Sequence, residues 1–117
     1  MVARCVAELG RVDILVTVAG VVSKGSAEAL EETEWDRVIN VNMKGVFLSC
    51  QAVIPAMRAQ KSGRIINIGS VNAYIGEPKL LAYAASKGAL MTLTKNLENH
   101  GVLLHKELSY LHSSFLR

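Results

Sequence analysis

Tyr83 and Lys87 stand four residues apart, with Ser70 upstream of them. In a helix, positions i and i+4 lie on one face, so the spacing brings a phenol and an ammonium within interaction range. A tyrosine ordinarily titrates near ~10, and a nearby cation favours its phenolate, which makes such a pair usable as an acid or a base. Proton transfer by a positioned group of this kind contributes about 10²–10⁴-fold in rate. Taken singly, each feature has a plainer reading: a solvated Tyr and Lys on a helix surface, and a serine that caps a turn.

The surrounding elements decide between these readings. Ile65, Ile66 and Ile68 are β-branched and apolar, Ser62-Gly63 precede them and Gly69 ends the run, so Arg64 to Gly69 is predicted as a strand. Ser70 then stands at its carboxyl end, the edge at which open α/β sheets bind ligands. Asp13 to Val18 is a near-continuous apolar run that predicts a central parallel strand buried on both faces, ended by Ala19-Gly20. Between the two strands, Thr33-x-x-Asp36 reads as a capping box opening a long helix through about Gln60. Trp35, Val38, Ile39, Met43, Val46 and Phe47 supply its apolar side, and Pro55 predicts a kink or an early end. Strand, helix, strand is a βαβ unit with parallel strands.

Three more segments complete the frame. Val2, Cys5, Val6 and Leu9 fall at helical spacing and Gly10 stops them. Val71 to Leu81, with Gly76 and Pro78, reads as a loop over the site. From Leu81 to about Leu97 a helix carries Ala82, Ala84, Ala85, Ser86, Gly88 and Ala89, small enough for another helix or a cofactor to approach closely.

Gly69-Ser70 followed by Tyr83-x-x-x-Lys87 resembles the active-site segment of the short-chain dehydrogenases/reductases. Asn40-Val41-Asn42-Met43-Lys44-Gly45 resembles that family's N-x-N-x-x-G helix motif, and Asp13 to Gly20 resembles its D-x-L-V-N-N-A-G strand motif. Together the motifs span Val2 to Leu97 in the family's order. The resemblance implies a Rossmann-type doubly wound parallel sheet, three-layer α/β/α and here incomplete, with residues 1–97 a partial NAD(P)-binding domain and 98–117 a divergent tail. It also implies hydride transfer between a nicotinamide cofactor, NAD or NADP, and a carbonyl or alcohol, of the 3-oxoacyl reductase or the alcohol and sugar dehydrogenase kind. Asn42, Ser70, Tyr83 and Lys87 would be catalytic. Tyr83 would be the acid/base, Lys87 would hold the nicotinamide ribose, Ser70 would position the carbonyl and Asn42 would relay protons. Ala19, Gly20, Asn42, Tyr83 and Lys87 would line the cofactor. At Thr17 and Val18 the family has two asparagines, so their polar contacts are expected to be lost. The helices at 33–60 and 81–97 would pair in a homo-oligomer.

The chain of 117 residues is 50% apolar and 20% charged, which fits one globular domain. A net charge of +3 without a basic run argues against nucleic-acid or membrane partners, and the resemblance implies a small-molecule substrate. Cys5 and Cys50 follow no metal or redox spacing, nor do His100, His105 and His112, so no metal site is expected. The longest apolar run, Ile14 to Val22, is about half of what a bilayer crossing needs, and a cytoplasmic protein is expected. The family's glycine-rich pyrophosphate turn, the strand that selects NAD or NADP and the substrate loop are expected to lie outside these residues. The alternative function is therefore a catalytically inactive truncated fragment, acting at most as an association module with an apolar strand edge left bare.

Overall fold

The computed structural model describes residues 1–99; His100, His105, His112 and the strand-like Val102–Leu104 of the tail lie outside the described residues. Helix α1 (Val2–Leu9) ends as expected at Gly10, whose φ of 81° is left-handed and whose N–H returns to the Val6 carbonyl at 2.9 Å. Strands β1 (Ile14–Thr17) and β2 (Arg64–Asn67) pair in parallel, with Ile14 opposite Arg64, Leu15 opposite Ile65, Val16 opposite Ile66 and Thr17 opposite Asn67. The βαβ unit is thus formed.

Its crossover is one continuous helical run. Helix α2 (Glu32–Ile39), a π-helical turn (Asn40–Lys44) and helix α3 (Gly45–Gln60) follow with right-handed helical backbone at both junctions. The expected capping box is not used: α2 starts at Glu32 behind an extended Glu31 that makes no side-chain cap bond. Glu32 and Glu34 in its first turn complement the helix dipole instead. Nor does Pro55 end α3, which continues to Gln60. Pro55 is on the exposed side, where the carbonyl it leaves without a partner faces water.

The apolar side of this run differs from the expected one. Val38 and Val46 are buried, but Trp35, Met43 and Phe47 are exposed. The buried line runs through Val38, Asn42, Val46, Cys50, Val53 and Met57, and the wide π turn brings Asn42 onto it in place of Met43. Helix α4 (Asn72–Ile75) occupies part of the segment expected as a loop, and helix α5 (Leu81–Asn99) follows.

Helices α3 and α5 cover the sheet face that carries Leu15 and Ile65. Val46, Cys50, Val53 and Met57 of α3, Ile65 of β2 and Leu90 of α5 form the buried cluster, with Val2, Val12, Leu15, Leu93 and Leu97 packed around it. The other face was expected to be buried too. Among the described residues it is not: Ile14 is 55% and Val16 49% exposed. Of the three layers of a doubly wound fold, the described residues form two. Two side-chain amides hold β1 at its ends: Gln60 bonds the N–H and C=O of Val12 at 3.1 and 2.9 Å, and Asn42 does the same for Val21.

The two faces differ energetically. Leu90→Ala removes a filled position among six buried side chains and is expected to cost about 2–5 kcal/mol in urea unfolding. Val16→Ala on the open face should change stability by less than about 0.5 kcal/mol. Equal losses for the two variants would contradict this assignment of the core.

Candidate active site

Lys87 is the least ordinary group in the fold. Its side chain rises from the first turns of α5 into a site where the residue is only 4% exposed, and its Nζ donates to the Ile68 carbonyl at 2.8 Å. No carboxylate pairs with it among the described residues. Burial without a counter-charge lowers its pKa from the ordinary lysine value, since desolvation penalises the ammonium. The contact to Ile68 uses one of three N–H donors. One turn back, the Tyr83 ring has its centroid 6.0 Å from this nitrogen, so the i, i+4 spacing brings the two together as expected. The Tyr83 hydroxyl bonds no group among the described residues.

Asn42 joins Lys87 at the end of β1. A Cβ placed on Gly20 would meet Asn42 Oδ1 at 3.5 Å and Lys87 Nζ at 3.7 Å, so Gly20, Asn42 and Lys87 converge on one spot. Ala19 and Gly20 are exposed there and leave their backbone open to close approach. The Asn42 amide is fully buried and fully used. Its Oδ1 accepts from the Val21 N–H at 2.8 Å, and its Nδ2 donates to the Val21 carbonyl at 2.9 Å and to Ser86 Oγ at 3.0 Å.

Ser70 is held separately, linked to the others through the chain two residues past Ile68. It is 3% exposed, and its Oγ accepts the Asn72 N–H at 3.2 Å, which starts α4. The turn-capping role is therefore real. It uses an acceptor position and leaves the hydroxyl hydrogen free for another partner.

Sequence reading missed the polar groups behind these residues. Ser86, expected only as a small residue, is completely buried and its hydroxyl donates to the Tyr83 carbonyl at 2.7 Å. Asn67 of β2 accepts from Thr17 Oγ1 at 2.8 Å and donates to Thr94 Oγ1 of α5 at 3.0 Å. Thr17 therefore keeps a polar contact where its loss was expected. Ser23, three residues past Gly20, buries a hydroxyl that has no partner among the described residues, a group that water or a ligand would satisfy. The available signals were position alone: Ser86 directly precedes Lys87, and Asn67 lies in an otherwise apolar strand.

The chain is similar to known proteins in sequence and in fold. A family model described as short chain dehydrogenase matches residues 1–102. Over 95 residues the chain is 42% identical to a 3-oxoacyl-[acyl-carrier-protein] reductase of Thermotoga maritima, covering 81% of this chain and 39% of that one. It is 39% identical over 99 residues to the 2-(R)-hydroxypropyl-CoM dehydrogenase of Xanthobacter autotrophicus, covering 82% of this chain and 40% of that one. Among solved structures, a gluconate 5-dehydrogenase of Burkholderia cenocepacia in complex with NADP and tartrate superposes with a TM-score of 0.82 at 38% identity, over 85% of this chain and 39% of that one. The chain thus spans about two fifths of the length of the curated relatives it matches. With the family model covering most of its residues and the fold superposing at this identity, the chain belongs to the short-chain dehydrogenase family.

Proposed function

We propose that the chain supplies the acid/base and cofactor-side half of an NAD(P)-dependent oxidoreductase acting on a small carbonyl or alcohol. The observation that carries this reading is the buried Lys87 ammonium, held beside Gly20 and over Tyr83 without a carboxylate partner among the described residues. A buried unpaired cation destabilises a fold, so its retention favours a role in binding or catalysis. The residues fit a nicotinamide cofactor. Gly20 leaves open a space that a Cβ would fill between Asn42 and Lys87, and Lys87 has two donors left for ribose hydroxyls. NAD or NADP, when bound, supplies or accepts the hydride.

In the direction of reduction, negative charge develops on the carbonyl oxygen. Tyr83 donates its phenolic proton to that oxygen, and the Lys87 cation stabilises the phenolate left behind. Ser70, its acceptor side taken by Asn72, directs its free hydroxyl hydrogen at the same oxygen. Both Asn42 amide hydrogens are committed, so in the relay toward Lys87 its side chain acts by placement, holding Val21 and α5. Oxidation of an alcohol uses the same groups in reverse. The relatives named above as reductases and dehydrogenases support a 3-oxoacyl, alcohol or sugar substrate class.

The same reading places the protein in the cytoplasm, in keeping with two free cysteines; among the described residues no helix is long and apolar enough to cross a membrane. It also has the protein self-associate through α3 and α5, where Phe47, Leu48 and Leu81 are each more than two-fifths exposed.

Titration of the purified protein with NADH and with NADPH should show saturable binding of at least one. Tyr83→Phe should keep that binding within about threefold while lowering carbonyl reduction by at least about 10²-fold. Undiminished turnover would remove Tyr83 from the mechanism. Lys87→Met should abolish turnover without lowering the melting temperature. The sign of the pH effect follows from the lowered Lys87 pKa: between the folded value and the ordinary 10.5, the unfolded chain binds more protons, so stability rises with pH. The burial penalty is full below the folded pKa and absent above the ordinary one. Wild type should therefore gain stability relative to Lys87→Met as pH rises through that window, and a constant difference would show that the ammonium carries no penalty. In sedimentation, Leu48→Glu should shift the protein toward monomer.

A further inference from the structure

We propose that Ser86 is a positioning residue for this reaction: its hydroxyl couples Asn42 to the turn of α5 that bears Tyr83 and Lys87, and so fixes both against Gly20. The proposal rests on the roles given to Tyr83 and Lys87 above. Ser86 is completely buried and stands three residues after Tyr83 and one before Lys87. A helical serine often turns its hydroxyl back to a preceding carbonyl, and Ser86 does so to Tyr83 at 2.7 Å. That bond consumes its single hydrogen, so at the Asn42 Nδ2 contact of 3.0 Å it can only accept. The direction of the chain is thereby forced: Asn42 amide to Ser86 hydroxyl to Tyr83 carbonyl. Aligned bonds of this kind polarise one another in a buried site. At its other end Asn42 holds both backbone groups of Val21, the residue after Gly20.

Smallness alone does not account for a serine here. Ala82, Ala84, Ala85 and Ala89 surround it on α5, and alanine meets the demand for close packing. What alanine lacks is an acceptor for the second amide hydrogen of Asn42, which would be left buried and unbonded.

The fold contains its own control. Two turns further along α5, Thr94 donates to the Leu90 carbonyl at 2.7 Å and accepts from Asn67 Nδ2 at 3.0 Å. Both clamps therefore run amide to hydroxyl to helix carbonyl, and together they fix the helix in rotation and in height. Only the Ser86 clamp lies at the turn that carries the reacting groups. Thr94→Ala repeats the structural loss without the functional one.

The test compares wild type, Ser86→Ala and Thr94→Ala by NMR and by turnover. Ser86→Ala should shift the Tyr83 ring and Lys87 side-chain resonances and lower kcat by about 10–10²-fold, with cofactor affinity changed less than about threefold. Thr94→Ala should lower the melting temperature by a similar amount and leave those resonances and kcat near wild type. If the two variants behave alike, Ser86 is a packing residue and the proposal is overturned. Should Ser86→Ala not fold, wild type alone decides: its Asn42 side-chain amide hydrogens must exchange slowly with water, and rapid exchange of both overturns the clamp. A wild type that binds neither NADH nor NADPH and reduces no carbonyl defeats the oxidoreductase reading. The resonance comparison still tells whether Ser86 sets Tyr83 and Lys87.

Discussion

The parallel pairing of β1 with β2, in the register that sets Thr17 opposite Asn67, is the constraint on which the site depends. Gly20 and Ser70 each follow that pair by three residues, so the register alone brings both to one edge of the sheet. Between them lie the backbone groups that receive the helices. The Ile68 carbonyl takes the Lys87 ammonium, and just past Gly20 the amide and carbonyl of Val21 take Asn42. A slip of one residue would exchange the faces of Leu15 and Ile65 as well as moving these anchors, and the apolar core forbids it.

The crossover between the strands does more than connect them. Its π turn adds a residue to one helical turn, and the residue it brings to the buried line is the amide that spans the strand end and α5. A straight α-helix would set the apolar Met43 nearer that line. The polar cost of burying Asn42 is offset because each of its donors and its acceptor oxygen finds a fixed partner, the condition under which buried polar networks rigidify a structure. Deeper in the core Asn67 donates to Thr94 and accepts from Thr17, with the Cys50 thiol alongside at 3.8 Å. Burial raises the pKa of that thiol and suits it to packing rather than reactivity.

Local patterns in the sequence were enough to place the strands, the first helix with its Gly10 stop, and Tyr83 beside Lys87, because each depends on neighbours within a few residues. The order of motifs also pointed to the family. What escaped were features set by distant parts of the chain. Ser86 meets a partner 44 residues away and Asn67 one 27 residues away, and no periodicity announces either contact. The apolar residues Trp35, Met43 and Phe47 were expected on the helix's apolar side, but the buried line runs instead through Val38, Asn42, Val46 and Cys50, with the π turn between α2 and α3. Pro55 passed through α3 because its missing bond falls on the wet side, which only the burial of its neighbours decides. Thr17 replaced an expected asparagine yet kept a polar partner, since a β-branched hydroxyl on the inner face still reaches Asn67 across the pair.

Hydrogen-bond capacity sorts the site residues into two groups. Asn42 and Ser86 have spent their donors on protein partners, so neither can turn to a ligand without leaving a buried group unbonded. Tyr83 keeps its hydroxyl hydrogen, Ser70 keeps its own because Asn72 bonds the acceptor side, and Lys87 keeps two of three. In the proposed reaction the unspent donors are those that meet charge as it develops, and the spent ones keep them from moving as it does. Preorganisation of this kind requires both groups, because a donor that must first be turned and dried contributes little when the transition state arrives. The rigid set therefore belongs to the chemistry as fully as the free one, although it touches nothing that reacts.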